Sequence, residues 1–198
     1  MEIVVAGLLI ILTLGLMWAT QGLRTRLLRS IKSKERAREQ ARRHLVQGTR
    51  LLGRSKPREA AVEADKAISF YPKDAASHIL KAFALERQGH VGSALRSLNT
   101  ALSLPVVKSL SLSEKAEALV KRADVVLAGS PGGKRRLEVA LGDLHASLAI
   151  NPDNAKAYYL LGRCYERKGL KAEARQAFEA ALQIDPSYRD ANQAFSRL

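Results

Sequence analysis

The distribution of apolar and polar residues differs between the N-terminal segment and the rest of this chain. Residues 3–19, IVVAGLLIILTLGLMWA, form an apolar run of 17 residues in which Thr13 is the only polar side chain. From about residue 41 onward, apolar residues recur every three or four positions, which places them on one face of an α-helix. The pattern predicts an all-α chain with an apolar N-terminal helix followed by shorter amphipathic helices.

The apolar run has the length of a short membrane span. A helix of 17 residues is roughly 26 Å long, against about 30 Å for the hydrocarbon core of a bilayer. Residues 1–22 are therefore predicted to be a single transmembrane signal anchor. A cleaved signal peptide is the alternative, but it needs basic residues before the run and small residues before the cut. Here Met1 and Glu2 precede the run, and Met17 lies two residues before the best cleavage point.

Positive charge is concentrated directly after the apolar run. Residues 21–58 contain 13 Lys or Arg and 2 acidic residues, so they supply +11 of the chain's net charge of +14. Lys and Arg accumulate on the cytosolic side of membrane spans. The N-terminus is therefore expected to face away from the cytosol and the rest of the chain toward it. The endoplasmic reticulum, the outer membrane of mitochondria or plastids, and a bacterial inner membrane all fit this pattern.

Residues 23–40 are predicted to be a basic juxtamembrane helix or linker. Their cations have three interpretations, namely a topology signal, contact with anionic lipid headgroups, and nucleic-acid binding. An anchor would hold them near the headgroups, where each Lys or Arg contributes about 1 kcal/mol. Nucleic acid is disfavoured because the stretch has no aromatic residues for base stacking. The residues expected to face lipid are Arg24, Arg26, Arg29, Lys32 and Lys34.

A period of 34 residues organises the remainder of the chain. Blocks 41–74, 75–108 and 155–188 share small residues at their eighth, twentieth and twenty-seventh places, and two of them have proline at the thirty-second. Small residues allow two helices to approach closely, and proline ends a helix. These positions are Gly48, Ala82, Gly162; Ala60, Ala94, Ala174; Ala67, Ala101, Ala181; Pro72 and Pro186. A fixed period of this length predicts stacked helix pairs.

With this pattern the chain resembles the tetratricopeptide repeat family. The match is strongest in residues 155–188, where the matching positions are Tyr158, Leu161, Gly162, Tyr165, Gly169, Ala174, Phe178, Ala181 and Pro186. The resemblance implies an α-solenoid of about four helix pairs over residues 41–188. Residues 189–198 are expected to form a C-terminal capping helix.

The third unit, residues 109–154, departs from the repeat pattern. Val106 and Pro152 occupy equivalent places but lie 46 positions apart, so this unit carries 12 extra residues. Ser111 and Glu114 have the spacing of a capping box, which predicts the start of a lengthened first helix. The segment GSPGGKRR at 129–136 predicts a long glycine-rich loop before the second helix.

The sequence contains no residue pattern of an enzyme or a cofactor site. Both phosphate-binding glycine motifs are missing, and the four histidines do not have the spacing of zinc ligands. No cofactor and no metal are expected, and an enzyme is the least favoured class. Ser130 is a possible phosphate acceptor, with an ordinary solvated loop as the favoured interpretation. Cys164 is expected to be a small core residue.

The resemblance also implies that the first helix of each pair lines a concave surface that binds a partner. The expected partner-binding residues are Arg42, Leu45, Thr49, Ile79, Phe83, Tyr159 and Arg163. Some relatives use a Lys and two Asn to bind the acidic tails of heat-shock chaperones. Those places are occupied here by Leu45, Thr49 and Leu80, which cannot hold a carboxylate, so chaperone tails are disfavoured.

Together these features favour a membrane-anchored scaffold or adaptor, such as an assembly factor, whose groove binds a peptide or helix of a partner protein at the cytosolic face. An organelle import or chaperone-docking receptor is the alternative.

Limited trypsin digestion checks the predicted topology and lipid contact together. In sealed vesicles with the cytosolic face outward, added trypsin is expected to remove the repeat region, because the basic flank sets it on that face. Anionic lipid should slow cleavage between Arg24 and Lys34 at low salt, and high salt should abolish the slowing by screening. Full protection of the repeat region would reverse the orientation, and salt-independent cleavage would exclude the lipid contact.

Overall fold

A computed structural model describes residues 2–129 and 133–198. Within residues 2–27 it describes few side chains, namely Gly7, Thr13, Gly15, Met17, Trp18, Gln21 and Arg26. Ser130 and the side chain of Arg24 therefore lie outside the described residues. The other expected lipid-facing residues, Arg26, Arg29, Lys32 and Lys34, are exposed.

The described part of the chain is helical, as the periodicity predicts. The helices are α1 (Glu2–Gly53), α2 (Pro57–Phe70), α3 (Ala75–Arg87), α4 (Val91–Ala101), α5 (Leu112–Ala128), α6 (Lys134–Ile150), α7 (Ala155–Lys168), α8 (Lys171–Ile184) and α9 (Arg189–Phe195), with a short 3-10 helix at Val106–Ser109. Consecutive helices pack as the pairs α1–α2, α3–α4, α5–α6 and α7–α8, and α9 packs on α8. The prediction of an all-α solenoid of about four helix pairs is confirmed.

The turn inside three of the pairs uses a residue in the left-handed conformation at the fifteenth place of its block. Gly89 and Gly169 have φ of +80° and +78°, which glycine adopts without steric cost. The same place in the first block is Ser55, with φ of +58°. All three turns are closed in the same way. The backbone N–H groups of Lys56, His90 and Leu170 donate to the carbonyls of Leu51, Leu85 and Tyr165 at 3.0, 2.9 and 3.0 Å.

Side-chain caps begin the first helix of three pairs. The carboxylate of Asp74 and the side-chain oxygen of Asn154 accept hydrogen bonds from the backbone N–H groups two residues into their helices. Ser111 and Glu114 form the predicted capping box at the start of α5, which is therefore confirmed. The pattern did not predict the 3-10 helix before α5, whose Val106 packs on Ala75 and Ala101.

The core is made of small side chains at the places where the two helices of a pair meet. Ala60, Ala94 and Ala174 are fully buried, and so are their counterparts at the twenty-seventh place. A Cβ atom added to Gly162 would lie 2.5 Å from the Phe178 ring, and one added to Gly48 would lie 2.6 Å from Leu80. The prediction that small residues mark close helix contacts is confirmed.

The first helix differs from the predicted one because α1 has no break near residue 41. It runs from Glu2 to Gly53, a length of roughly 78 Å. Residues 31–36 are all exposed, so no face of the helix is covered there. Contact with the repeats begins near Arg38, whose guanidinium donates to the Tyr71 hydroxyl at 3.3 Å. The basic stretch is thus a helical arm that continues into the first repeat.

None of the helices in the described residues combines the length and apolarity that a bilayer span requires. Most side chains of the predicted anchor, residues 1–22, lie outside the described residues. The glycine-rich loop is shorter than predicted, because α6 already begins at Lys134.

Substituting Gly162 tests the close contact within the last pair. Gly162→Ala should lower the free energy of unfolding by about 1–3 kcal/mol, because its Cβ meets the buried Phe178 ring. Gly142→Ala is the control. Nothing lies within 4 Å of the added Cβ, so improved helix propensity should raise stability by about 0.5–1 kcal/mol. Chemical denaturation followed by circular dichroism measures both.

The second block suggests a rescue, because Ala82 at the equivalent eighth place packs beside Leu98 rather than a phenylalanine. Phe178→Leu should therefore recover part of the stability lost in Gly162→Ala. Equal losses with and without Phe178→Leu would show that the cost arises elsewhere.

Candidate partner-binding groove

The first helices of the first three pairs enclose an apolar groove of about 500 Å³. The apolar part of its wall comes from α1 and α3, and α5 forms the third side. We refer to this site as the apolar groove. Its lining is Leu45, Thr49, Leu52, Ala76, Ile79, Leu80, Phe83, Arg87, Leu110, Glu114, Glu117, Ala118 and Lys121.

Helical spacing explains why α1 and α3 present apolar residues to the groove. Leu45, Thr49 and Leu52 follow each other at intervals of four and three residues, and Ala76, Ile79 and Phe83 at intervals of three and four, so each set lies on one helix face. Leu80, by contrast, points mainly into the core and is 5% exposed.

Phe83 lies on the groove wall and is half-buried. The ammonium of Lys121 lies 4.9 Å from the centre of its ring, within the range of a cation–π interaction. Lys121 therefore connects α5 to the aromatic residue of α3 and limits the groove on that side.

A row of ion pairs continues from Lys121 across the first helices. The Lys121 ammonium lies 2.6 Å from a Glu86 carboxylate oxygen and 3.7 Å from Asp124. Asp124 also accepts from Lys156 of α7 at 2.9 Å. These four charges cancel, and they tie α3, α5 and α7 together where the apolar groove ends.

The rim of the groove carries acidic groups on its α5 side. The Ser111 backbone N–H and hydroxyl donate to the Glu114 carboxylate at 2.8 and 2.7 Å. These bonds lower the pKa of Glu114, with the backbone N–H as the larger cause. Glu117 lies one turn further along α5. Arg87, on the α3 side, donates to the Leu52 carbonyl at 2.9 Å.

The structure brings only part of the predicted partner-binding set together. Leu45, Thr49, Ile79 and Phe83 share the apolar groove, whereas Arg42 is exposed on α1 and is not part of the wall. Tyr159 and Arg163 lie outside the apolar groove, and α5 with its ion pairs is placed between them and Leu45.

Tyr159 and Arg163 line a second depression, of about 410 Å³, beside α9. Tyr159 is held by aromatic contacts, with its ring centre 5.9 Å from Phe178 and 5.2 Å from Tyr188. Burial raises the pKa of Tyr188 to about 12, so its hydroxyl stays neutral. Arg163 lies over Tyr159 at 6.0 Å.

The sequence prediction assigned no groove residue to α5, which contributes Glu114, Glu117, Ala118 and Lys121. The extra residues of the third unit hid the repeat register, so no inward-facing positions were assigned there. The capping box was the available signal, because it fixes the start of α5 and hence which residues share a face with Glu114.

Metal-binding side chains are not clustered in the described residues. No three His, Cys, Asp or Glu side chains in that part of the chain lie close enough together to hold a metal ion. Cys164 is fully buried in the core, as expected from the sequence. Burial raises the pKa of its thiol to about 11, which keeps it protonated.

Comparisons with known proteins agree with this architecture. Residues 132–197 match a protein-family model described as tetratricopeptide repeat. MamA 41-end from Desulfovibrio magneticus RS-1 is 23% identical with a TM-score of 0.67, over 80% of this chain and 82% of that one. YrrB, a TPR protein with an unusual peptide-binding site, is 21% identical with a TM-score of 0.66, over 87% and 88%.

Pseudomonas aeruginosa PilF is 19% identical to this chain with a TM-score of 0.65, over 83% of this chain and 68% of its own. No curated protein matches the chain significantly in sequence. At these identities the solved structures support the fold alone, which is a tetratricopeptide-like solenoid.

Removing Lys121 tests the ion pairs at the end of the groove. Lys121→Met should lower the free energy of unfolding by about 1–2 kcal/mol, because Glu86, whose side chain is only 24% exposed, loses its partner. Lys156→Met should change it by less than about 0.5 kcal/mol, since Lys156 is 51% exposed. Thermal and urea denaturation measure both. Equal effects of the two variants would contradict the ranking by burial.

Proposed function

We propose that this protein is a scaffold that holds a partner protein at a membrane surface through the apolar groove. A role in protein–protein interaction is supported by the tetratricopeptide match and by TPR structures of the same fold. The observation that carries the proposal is a groove of about 500 Å³ whose apolar wall is not filled by the described residues. An apolar concavity of this kind is typical of a protein-binding site.

The lining favours a ligand with apolar side chains and a positive charge. Leu45, Leu52 and Ile79 offer apolar contacts, and Glu114 and Glu117 give the α5 rim a negative charge. Of the two cations in the lining, Lys121 is paired with Glu86, and Arg87 lies on the opposite, α3 side. A helix or an extended segment that carries apolar residues with a Lys or Arg beside them would satisfy both features. The peptide-binding site that the name of YrrB records makes a peptide ligand a reasonable expectation for a chain of this fold.

An acidic chaperone tail is a poor fit for the same groove. The places that bind carboxylates in some relatives are occupied by Leu45, Thr49 and Leu80, none of which is a cation. A carboxylate there would lose its hydration without gaining a charged partner, and the acidic rim would repel it. The import or chaperone-docking receptor therefore remains the less favoured candidate.

Phe83 is the residue expected to contribute most to binding. It is the aromatic residue of the groove lining, it is half-buried, and the Lys121 ammonium lies 4.9 Å from its ring centre. Aromatic residues in central pockets commonly contribute about 2 kcal/mol or more to binding.

The membrane part of the proposal is based on the sequence. The apolar run at 3–19 and the net charge of +11 over 21–58 favour an anchor with the repeats on the cytosolic side. Because α1 is continuous, the end of the run and the groove residue Leu45 would be separated by 26 residues of one helix, roughly 39 Å. The anchor would thus hold the groove at a fixed distance from the bilayer, with Arg26, Arg29, Lys32 and Lys34 near the headgroups.

Substituting Phe83 distinguishes a role in ligand binding from a role in the core. Peptides selected by display against the full chain in lipid nanodiscs should carry spaced apolar residues and a Lys or Arg. Phe83→Ala should weaken their binding about 30-fold, which corresponds to about 2 kcal/mol, while the thermal midpoint changes little. Fluorescence anisotropy and differential scanning calorimetry provide the two measurements.

Phe70→Ala is the matched control, because Phe70 is 39% exposed and stacks on His44, away from the groove lining. Unchanged binding in Phe83→Ala would sink the proposed site. A loss of about 3–5 kcal/mol in stability would instead assign Phe83 to the core.

A further inference from the structure

A further cleft, of about 570 Å³, lies between α4 and α6, which are the second helices of the second and third pairs. Its charged lining residues are Arg96 of α4, Arg122 of α5, and Arg135 and Arg136 of α6. Leu95, Val126 and Val139 supply apolar surface between them, and Val139 is 44% exposed. We call this site the arginine cleft. It is formed by a different face of α5 from the one that lines the apolar groove.

One of the four arginines, Arg122, forms an ion pair within the fold. The Arg122 guanidinium donates to both carboxylate oxygens of Asp143 at 2.7 and 2.6 Å, and to the Asn99 side-chain oxygen at 3.1 Å. Three of its five N–H donors are therefore occupied, and its charge is balanced by the buried Asp143. Arg122 is thus held in the wall of the cleft by the fold and adds no net charge to it.

The positive charges of the remaining three arginines are not balanced by an acid in the described residues. Within the described residues, Arg96, Arg135 and Arg136 form no ion pair, whereas ten other pairs are present. Arg96 donates only to the hydroxyl of Ser93, at 2.7 Å. The lining contains no carboxylate, so both walls present uncompensated guanidinium groups.

The position of these arginines is unfavourable for the helix that carries them. α6 begins with Lys134, Arg135 and Arg136 and has no acidic residue in its first turn. Cations at this end oppose the helix dipole. Helices α3, α4 and α7 also lack an acid in the first turn, but none of the other helices from α2 to α9 starts with three cations. Residues that break a local rule in this way are commonly found at functional sites.

We propose that the arginine cleft is a second docking site, which binds an acidic peptide segment of a partner protein. Guanidinium groups bind carboxylates through paired hydrogen bonds. Cations on two facing walls match carboxylates spaced along a chain, and Leu95, Val126 and Val139 match apolar side chains between the carboxylates. The charge of this ligand is opposite to that of the ligand favoured by the apolar groove, so the two sites select different segments.

Other anions fit the cleft less well. All three free arginines are exposed, so a single phosphate would gain little from them in competition with water. The lining has no aromatic residue on which a nucleic-acid base could stack. The apolar residues between the arginines would not contact a phosphate or a nucleic acid favourably, whereas they can pack against the apolar side chains of a peptide.

Reversing the charge of the α6 arginines tests the proposal on the full chain in detergent micelles. The probe is a short fluorescein-labelled peptide that alternates aspartate with leucine, and its neutral counterpart carries asparagine in place of aspartate. Arg135→Glu with Arg136→Glu should weaken binding of the acidic probe about tenfold or more. The thermal midpoint should stay unchanged or rise, because acids favour the start of a helix. Loss of binding therefore cannot be attributed to unfolding.

Lys171→Glu with Arg189→Glu is the matched control, since both residues are exposed at the first position of a helix. This variant makes the same charge change outside the cleft and should leave binding of the acidic probe within about twofold, because exposed distant charges are screened. Equal weakening by both variants, or no binding of the acidic probe to the unmodified chain, overturns the proposal. Tighter binding of a single-stranded oligonucleotide or of anionic vesicles, lost in the α6 variant, would reassign the cleft to that ligand.

Discussion

Close contact between the two helices of each pair is the constraint on which the rest of the structure depends. Small residues at the eighth, twentieth and twenty-seventh places let the backbones approach, and the larger side chains then fill the remaining space. Phe178 lies where any side chain on Gly162 would have to be. The fully buried Ala60, Ala94 and Ala174 show the same requirement in three pairs. Each pair has apolar residues on two sides, and these are buried only when the pair stacks on its neighbours. This stacking produces the solenoid.

Stacking alone would give one long wall of first helices, but the third unit divides it. The lengthened α5 brings Lys121 over Phe83 and into contact with Glu86 and Asp124, and Lys156 continues the row to α7. The apolar wall is thereby limited to α1, α3 and α5, and Tyr159 belongs to a separate depression beside α9. The third unit thus marks where the candidate groove ends and supplies its acidic rim.

Charge is distributed unequally over the molecule, and the proposed functions follow this distribution. The long α1 helix carries the basic stretch away from the repeats and then forms one wall of the apolar groove. On another face, α4 and α6 present three arginines that the fold leaves without an acid among the described residues. A scaffold with a groove rimmed by acids and a cleft lined by arginines would bind two partners of opposite charge without competition between them.

The sequence by itself determined the helical repeat, because the repeat depends on local spacing and on small residues whose places are fixed in each block. It also determined the capping box of Ser111 and Glu114, which involves only neighbouring residues. Leu45, Thr49, Ile79 and Phe83 line one groove, because helices of regular repeats keep their faces aligned. Only the tertiary structure decided that α1 is continuous, that Ser55 adopts a left-handed turn, and that α5 separates Phe83 from Tyr159. The last feature depends on contacts between residues far apart in the chain, such as Lys121 with Glu86, and a single sequence with an irregular third unit does not specify their register.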